Sequence, residues 1–360
     1  MLIALIVIIG LSLLILGHEA GHFLVAKMFG LKVDEFGFGF PPRIAAKKIG
    51  DTEYSINWLP FGGFVRISGE RGEFEMIDAD GADAGSTQVV PVAATANPDE
   101  HRLFYNQPAW KKSAIILAGV FTNFIFGWIL ISIVLMVGVP QTLVIAGTQA
   151  GSPAAAAGIQ PGDVIKGYTD SQTFINYVDQ NKGHQITFTV IRDDKEIPLT
   201  LTPRTTTTPD QGAIGVELEE GGAARENPFT AIWTGLEDAA VISWLTVQAF
   251  YELIKQIFVH ASIPAGVVGP VGIFGIAEET GKIGLAYLLQ FLGIISINLM
   301  IVNCIPFPAL DGGRFVMIIL EKIRGKAISY KVESIINGVG FALLLALMIA
   351  LTVRDISGLI

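Results

Sequence analysis

Cysteine is nearly absent from this 360-residue chain, in which Cys304 is the only one. A single thiol excludes an internal disulfide framework, and it means that a metal site here must be built from histidine and carboxylate ligands. Histidine is also scarce, with five in the whole sequence. Two histidines at a short, regular spacing are therefore a more specific sign of a functional site here than in a histidine-rich chain.

Charge is scarce as well. Charged residues make up 16% of the sequence, whereas hydrophobic residues make up 51%. The mean hydropathy of +0.55 is too apolar for an ordinary soluble protein of this length. The formal net charge is −9, and no basic block or stripe stands out in the sequence. This composition indicates a membrane protein and argues against nucleic acid as a partner.

The first long apolar run begins at residue 2 and continues through LGHEAGH, residues 16–22, into FLVA. It lacks the basic segment and the small-residue cleavage site that flank the apolar core of a signal peptide. At about 20 residues or more, it is long enough to cross a bilayer. We expect residues 2–28 to form a retained transmembrane helix.

Three further apolar runs have lengths at or near those that span a bilayer: residues 114–139, 284–302 and 338–353. Lysine and arginine in short loops mark the cytoplasmic side of a membrane. They cluster in the loop between the first two runs and in the loop between the last two, at Lys27, Lys32, Arg43, Lys47, Lys48, Lys111, Lys112, Lys322, Arg324, Lys326 and Lys331. We expect both loops in the cytoplasm, with the termini and the segment 140–283 outside.

The predicted fold is therefore a polytopic α-helical membrane protein of about four transmembrane helices, with its core formed by residues 1–139 and 284–360. Within the first part, residues 33–70 alternate β-rich pieces with Gly and Pro turns, which is typical of β-hairpins at the cytoplasmic membrane surface. Residues 71–100 are poor in large apolar side chains and predict a flexible insertion.

The segment between the second and third runs predicts two further parts. Residues 140–205 form a compact extracytoplasmic α+β module, and residues 206–283 form a linker with an interfacial amphipathic helix. Within the module, GSPAAAAGIQPGDVI, residues 151–165, resembles the PDZ family's helix, turn and strand. The alternative is another small β-rich module. A PDZ domain would accept an extended peptide, including its C-terminal carboxylate, by strand addition.

The stretch HEAGH contains the titratable side chains of the first apolar run. On a helix His18 and His22 share one face. In a zinc protease, such imidazoles bind the metal, which lowers the pKa of water to about 7, and Glu19 would act as the general base. The alternatives for titratable groups inside a bilayer are an interhelical hydrogen-bonded pair and a proton path in a transporter.

A catalytic zinc ion takes three protein ligands, so a third must come from elsewhere in the chain. The best candidate is Asp311 in NLMIVNCIPFPALDGGRF, residues 298–315. Pro306 and Pro308 break the apolar run there, and the loop charges place Asp311 at the same membrane end as His22. Asp311 could instead cap the helix that follows, because aspartate is a preferred N-cap residue.

HEAGH together with NCIPFPALDGG resembles the site-2 protease family (M50) of intramembrane zinc metalloproteases, and most closely its regulator-of-sigma-E type. The resemblance extends to GFGFPP and PFGGFVRISGE in the β region, and to GPVGI, residues 269–273. It implies that His18, His22 and Asp311 bind Zn²⁺ and that Glu19 is the catalytic base. Asn303 would be an amide that positions the substrate or supports the transition state.

The sequence departs from that type in two respects. AGVFTN, residues 118–123, retains the asparagine of the family's second-span motif as Asn123 but has Val120 in place of a common proline. A single PDZ module is evident, whereas the sigma-E type has two in tandem.

The resemblance implies a zinc-dependent endopeptidase of the bacterial inner membrane, with its active site toward the cytoplasm. Its substrates would be transmembrane segments, for example of an anti-sigma factor or of remnant signal peptides. A helical substrate must unwind before its peptide bonds can be attacked, and the segment 61–64 could hold it by edge pairing. Two other classes are a metal or proton transporter that uses the same histidines and a catalytically idle PDZ scaffold.

Overall fold

A computed structural model describes residues 2–70, 74–76, 89–91, 100–192, 195–206, 212–260 and 267–359. The chain divides into two compact units. The first comprises Met1–Ser132 and Ile232–Ile360, and the second comprises Ile133–Ala231.

Four helices of the described chain are long and apolar enough to cross a membrane, which agrees with the prediction of a polytopic membrane protein. They are α1 (Leu2–Met28), α2 (Ala109–Val137), α7 (Leu285–Cys304) and α9 (Tyr330–Leu359). Other long helices are α5 (Pro228–His260), α6 (Pro270–Ile283) and α8 (Asp311–Arg324). The sequence did not predict α6 as a separate helix.

Helix α1 ends in a turn that directs the chain into the β region. Gly30 has a φ of 77°, a left-handed conformation that glycine adopts without a steric penalty. The Leu31 N–H donates to the Ala26 carbonyl oxygen at 3.0 Å, which is the long bond of a Schellman motif. Leu31 and Ala26 are then buried together in the core of the first unit.

The β region contains two long strands, β1 (Val33–Ile49) and β2 (Thr52–Ile67), which pair in three sections. Two of these sections are antiparallel, and the section that joins residues 35–38 to residues 53–56 runs in parallel. Residues 35–38 of β1 pair with residues 53–56 of β2 on one side and with residues 63–66 on the other. Residues 43–49 of β1 pair a second time with residues 52–57. The sheet therefore has four rows, and residues 63–67, here called the edge row, form one of its borders.

The edge row lies against α1. The Ser12 hydroxyl on α1 donates to the Pro60 carbonyl oxygen just before the edge row. A Cβ atom on Gly63 would come within 3.0 Å of both the Gly37 carbonyl oxygen and the Leu16 side chain, so glycine permits this close approach. The sheet and the transmembrane helices also share a hydrophobic core, made of Ala26, Leu31, Val33, Ile67, Phe104, Ile115, Ile116 and Ile318.

The predicted flexible insertion at residues 71–100 falls largely outside the described residues. Two short strands within it are described, β3 (Phe74–Met76) and β4 (Val89–Pro91), and they form an antiparallel pair. Two short 3₁₀ turns, Glu100–Arg102 and Phe104–Asn106, lead from there into α2.

The turn between α7 and α8 is built from close backbone contacts. A Cβ atom on Gly312 would overlap the carbonyl oxygens of Cys304 and Ile305, and one on Gly313 would overlap that of Phe307. Ala309 has a φ of 73°, which is strained for a residue with a side chain. Its N–H donates to Oδ1 of Asn337 on α9 at 3.1 Å, so a neighbouring helix holds the turn.

The second unit contains five antiparallel strands in the order β8-β7-β6-β5-β9. They are β5 (Val139–Thr148), β6 (Val164–Ile165), β7 (Ile186–Arg192), β8 (Lys195–Leu201) and β9 (Val216–Ala223). Two helices, α3 (Pro153–Ala156) and α4 (Ser171–Gln180), complete it. Because β9 pairs with β5, this unit extends beyond the 140–205 segment that the sequence indicated.

A buried ion pair stabilises the second unit. Asp163 is 1% exposed, and its two carboxylate oxygens accept from Nε and Nη2 of Arg192 at 2.6 and 2.7 Å. Burial opposes ionisation of this carboxyl group, but Arg192 and the Gln160 N–H hold the pKa of Asp163 below its usual value.

Candidate metal centre

The two histidines of HEAGH lie one turn apart on α1 and are both buried, with exposures of 8% for His18 and 6% for His22. Their Nε2 atoms are 3.2 Å apart. The rings stand edge to face, with an interplanar angle of 89° and centroids 4.8 Å apart. Two imidazole nitrogens therefore converge on one point inside a helix long enough to cross a membrane.

The tertiary fold brings Asp311 to the same point. It is the first residue of α8, and its side chain is 12% exposed. Oδ2 lies 3.1 Å from Nε2 of His18 and 3.3 Å from Nε2 of His22. Burial disfavours the charged form, but the two imidazoles hold the pKa of Asp311 below its ordinary range.

Asp311 does not act as the cap of α8. The N-cap position belongs to Leu310, and no side-chain capping bond is present there in the described chain. The alternative that Asp311 serves only to start the helix is therefore not supported. Its carboxylate points toward the histidines instead of back along the helix backbone.

The spacing of the three side chains fits a zinc ion. Bonds of about 2.0–2.1 Å in a tetrahedral site put the ligand atoms about 3.3 Å apart, and the three observed separations are 3.1, 3.2 and 3.3 Å. Oδ2 of Asp311 is buried and, within the described chain, has no hydrogen bond of good geometry despite these short distances. A buried anionic oxygen without a good hydrogen bond is suited to binding a cation. No other group of three potential ligands lies this close together in the part of the chain that the structure describes.

The second nitrogen of each imidazole contacts α2. Nδ1 of His22 lies 2.8 Å from the carbonyl oxygen of Ile115. Nδ1 of His18 lies 3.1 Å from the side-chain nitrogen of Asn123. The sequence assigned no role to either α2 residue, because nothing in it says which face of α2 packs against α1.

Glu19 extends from α1 toward the β region. Its Oε2 accepts a hydrogen bond of 3.1 Å from the main-chain N–H of Val65, which belongs to the edge row. The carboxylate of the predicted base is thus held beside the edge row, and Glu19 is next in sequence to His18, a candidate metal ligand.

Asn303 occupies the last turn of α7, just before the chain turns toward Asp311. Its side chain is half-buried. The fold thus brings His18, His22 and Asp311 together. Glu19 lies on the same helix as the two histidines, and Asn303 lies at the end of α7, the helix that precedes Asp311.

The sequence profile of peptidase family M50 matches residues 6–347. The regulator of sigma-W protease RasP of Bacillus subtilis is 28% identical, over 99% of this chain and 98% of that protein. The zinc metalloprotease RasP of Bacillus licheniformis is 29% identical, over 99% of each chain. A protein of Synechocystis sp., named as a candidate zinc metalloprotease, is 33% identical over 96% of this chain and 92% of its own.

Replacing Asp311 by asparagine tests whether it binds the metal. Asparagine caps helices about as well as aspartate, but it offers zinc a neutral oxygen in place of an anionic one. We expect the zinc content of the purified Asp311→Asn protein to fall by more than about tenfold, as measured by elemental analysis.

Glu321→Gln is the matched control, because it also removes a carboxylate charge from α8. Glu321 accepts from the Ile328 N–H at 2.8 Å, a bond that glutamine can keep. This control should retain its zinc. Full zinc occupancy in Asp311→Asn would show that Asp311 is not a ligand.

Proposed function

Because this chain belongs to peptidase family M50 and is a zinc metalloprotease of a bacterial membrane, we propose that it cleaves transmembrane segments of other membrane proteins at the His18, His22 and Asp311 cluster. The observation that carries the proposal is the convergence of these three side chains, with the two buried histidines on a helix that is long and apolar enough to cross a membrane and that also bears Glu19. A soluble peptide would not require a site at this position.

In the proposed mechanism His18, His22 and Asp311 hold the metal, and zinc, when bound, makes water acidic and polarises the substrate carbonyl. Glu19 accepts a proton from water at a carboxylate oxygen as the water oxygen attacks the carbonyl carbon. Glu19 then delivers that proton to the leaving nitrogen as the C–N bond breaks. The Val65 N–H holds the Glu19 carboxylate in place, and the Asn303 amide donates to the substrate carbonyl oxygen as negative charge develops there.

The edge row is the proposed binding strand for the substrate. The Ser68 N–H donates to the carbonyl oxygen of Lys32, the residue just before β1, whereas the Val65 N–H points away from β1 to Glu19. Because backbone groups alternate in direction along a strand, the backbone groups of residues 63, 65 and 67 point to the border away from β1. A cleft of about 500 Å³ is lined there by Phe40, Pro41, Phe64, Val65, Arg66, Ile67 and Glu70.

An unwound substrate could pair with this border and so satisfy the backbone groups that it exposes inside the membrane. Such pairing would present an extended segment beside Glu19, as the chemistry requires. The loop charges support an active site toward the cytoplasm and termini outside. We propose membrane-anchored regulators or remnant signal peptides as substrates, by extension from the relative that is named regulator of sigma-W protease.

We further propose that the second unit is a PDZ module that binds a peptide C-terminus. A groove of about 440 Å³ runs between α4 and residues 212–218. β9 is the border strand of the described sheet on that side, so its free edge can pair with an extended peptide. Ile175, Val178 and Lys182 line the α4 wall. Binding there would select substrates without taking part in bond cleavage.

Substituting Glu19 by glutamine tests the proposed base. Glutamine preserves the side-chain shape and an oxygen for the Val65 N–H, but it cannot take up a proton. We expect the cleavage rate of a model transmembrane substrate by the purified full-length protein in detergent to fall by about 10²–10⁴-fold. The zinc content should remain that of the unsubstituted protein.

Glu321→Gln again serves as the control and should cleave normally. A metal or proton transporter that used the same histidines would tolerate the loss of a general base. Near-normal cleavage by Glu19→Gln would therefore refute the mechanism stated above.

Photo-cross-linking tests the edge row as the substrate-binding strand. A photoreactive phenylalanine at position 64 lies in the cleft, whereas one at Ile49 lies at the far end of the hairpin where β1 meets β2. We expect a substrate to be captured from position 64 and not from position 49 in a Glu19→Gln background. Equal capture from both positions would contradict edge pairing.

Charge introduced into the α4 groove tests the PDZ proposal. Ile175 is 41% exposed and lines the groove, so Ile175→Glu should weaken binding of a short fluorescent peptide with an apolar free C-terminus by about tenfold. Thr187→Glu, on the exposed face of β7, should leave binding unchanged. Binding that is insensitive to amidation of the peptide C-terminus would argue against carboxylate capture.

A further inference from the structure

One face of α2 lies directly behind the two imidazoles of α1. Ile115, Gly119 and Asn123 follow one another at intervals of four residues, so they share that face. The Ile115 carbonyl oxygen contacts Nδ1 of His22 at 2.8 Å. A Cβ atom on Gly119 would overlap the His22 ring and approach Cε1 of His18 to 2.9 Å. Asn123 completes the face, 3.1 Å from Nδ1 of His18.

We propose that Asn123 is a positioning residue of the zinc site: its side-chain oxygen accepts the Nδ1–H of His18 and so directs Nε2 of that ring to the metal. The inference rests on the proposed ligand set of His18, His22 and Asp311. In this arrangement α2 supplies a hydrogen-bond acceptor to each imidazole: the main-chain carbonyl oxygen of Ile115 to His22 and the carboxamide of Asn123 to His18.

The chemistry of a metal-bound imidazole requires such an acceptor. A neutral histidine that binds a metal through Nε2 carries its proton on Nδ1, and that proton needs a hydrogen-bond acceptor. For His22 the acceptor is the carbonyl oxygen of Ile115. The polar side chain next to Nδ1 of His18 is that of Asn123, which is 1% exposed.

The orientation of the carboxamide follows from this requirement. Nδ2 lies toward the His18 ring, while Oδ1 is buried with no partner among the described residues. A rotation of 180° about the last side-chain bond exchanges these two atoms, which have nearly the same size. One atom of the carboxamide stays unpaired in either orientation, so a count of hydrogen bonds does not decide between them. The tautomer that metal binding imposes on His18 requires the oxygen.

A purely structural role for Asn123 can be tested separately from its proposed role in orienting His18. Its main-chain carbonyl oxygen accepts from the Ser296 hydroxyl on α7 at 2.8 Å, which links α2 to α7. That link does not involve the carboxamide, so it survives substitution of the side chain. Removal of the Ser296 hydroxyl, in turn, breaks the link and leaves the carboxamide in place.

The test compares Asn123→Asp, Asn123→Leu and Ser296→Ala in the purified full-length protein in detergent, with zinc affinity measured by chelator competition. Aspartate can only accept a hydrogen bond, whereas leucine can neither accept nor donate. We expect Asn123→Asp to bind zinc as tightly as the unsubstituted protein or more tightly, and Asn123→Leu to bind it 10–100-fold more weakly. Ser296→Ala should not change the affinity.

A second measurement reports on ligand geometry. With Co²⁺ in place of zinc, the visible absorption bands of Asn123→Leu should shift, and those of Asn123→Asp and Ser296→Ala should not. If Asn123→Asp loses affinity as strongly as Asn123→Leu, the amide N–H is the group that matters and the inference is wrong. Unchanged affinity in Asn123→Leu would also overturn it. Should Asn123→Leu fail to fold, Asn123→Asp still decides between acceptor and donor.

Failure of this inference is distinguishable from failure of the proposed ligand set. If Asp311→Asn loses zinc while Asn123→Leu keeps it, the ligand set stands and Asn123 has no part in orienting His18. If Asp311→Asn keeps its zinc, the ligand set itself is wrong and the inference falls with it.

Discussion

Two imidazoles and a carboxylate meet at separations of 3.1–3.3 Å beside the membrane-spanning part of this chain. Burial of a carboxylate without a partner is costly, and the cost is greater where the surroundings are hydrocarbon. A divalent cation offsets that cost because it satisfies the anion and both nitrogen lone pairs at once. Much of the surrounding structure brings these three side chains together or leaves space for them.

Small residues create that space. Gly119 lets α2 approach the imidazoles, and Gly312 and Gly313 let the first turn of α8 fold back on the end of α7. The Asn337 side chain holds the strained Ala309 in the turn before Asp311. An alanine at any of these glycines would push backbones or ligands apart. The metal site therefore depends on backbone approach as much as on the ligands themselves.

The same centre meets the sheet through Glu19, whose carboxylate is held by the edge row. This contact couples the proposed chemistry to the proposed way of holding a substrate. A peptide bond inside a helix is protected by its own hydrogen bonds, and a border strand offers replacements when the helix unwinds. The hydrogen bond from Val65 to Glu19 therefore places the proposed base next to the proposed binding strand.

The sequence alone determined the elements whose signals are local. Apolar runs predicted the four long helices because bilayer thickness sets their length, and the HEAGH spacing put His18 and His22 on one face because a helix turns every 3.6 residues. The local pattern left the role of Asp311 open, since a ligand and a cap can look alike in sequence, and the family resemblance assigned it to the metal. Only tertiary structure showed that its carboxylate meets the histidines, that Val65 holds Glu19 and that Asn123 lies behind His18. Those contacts join residues far apart in the chain, and their existence depends on how helices and strands pack, which no local pattern encodes.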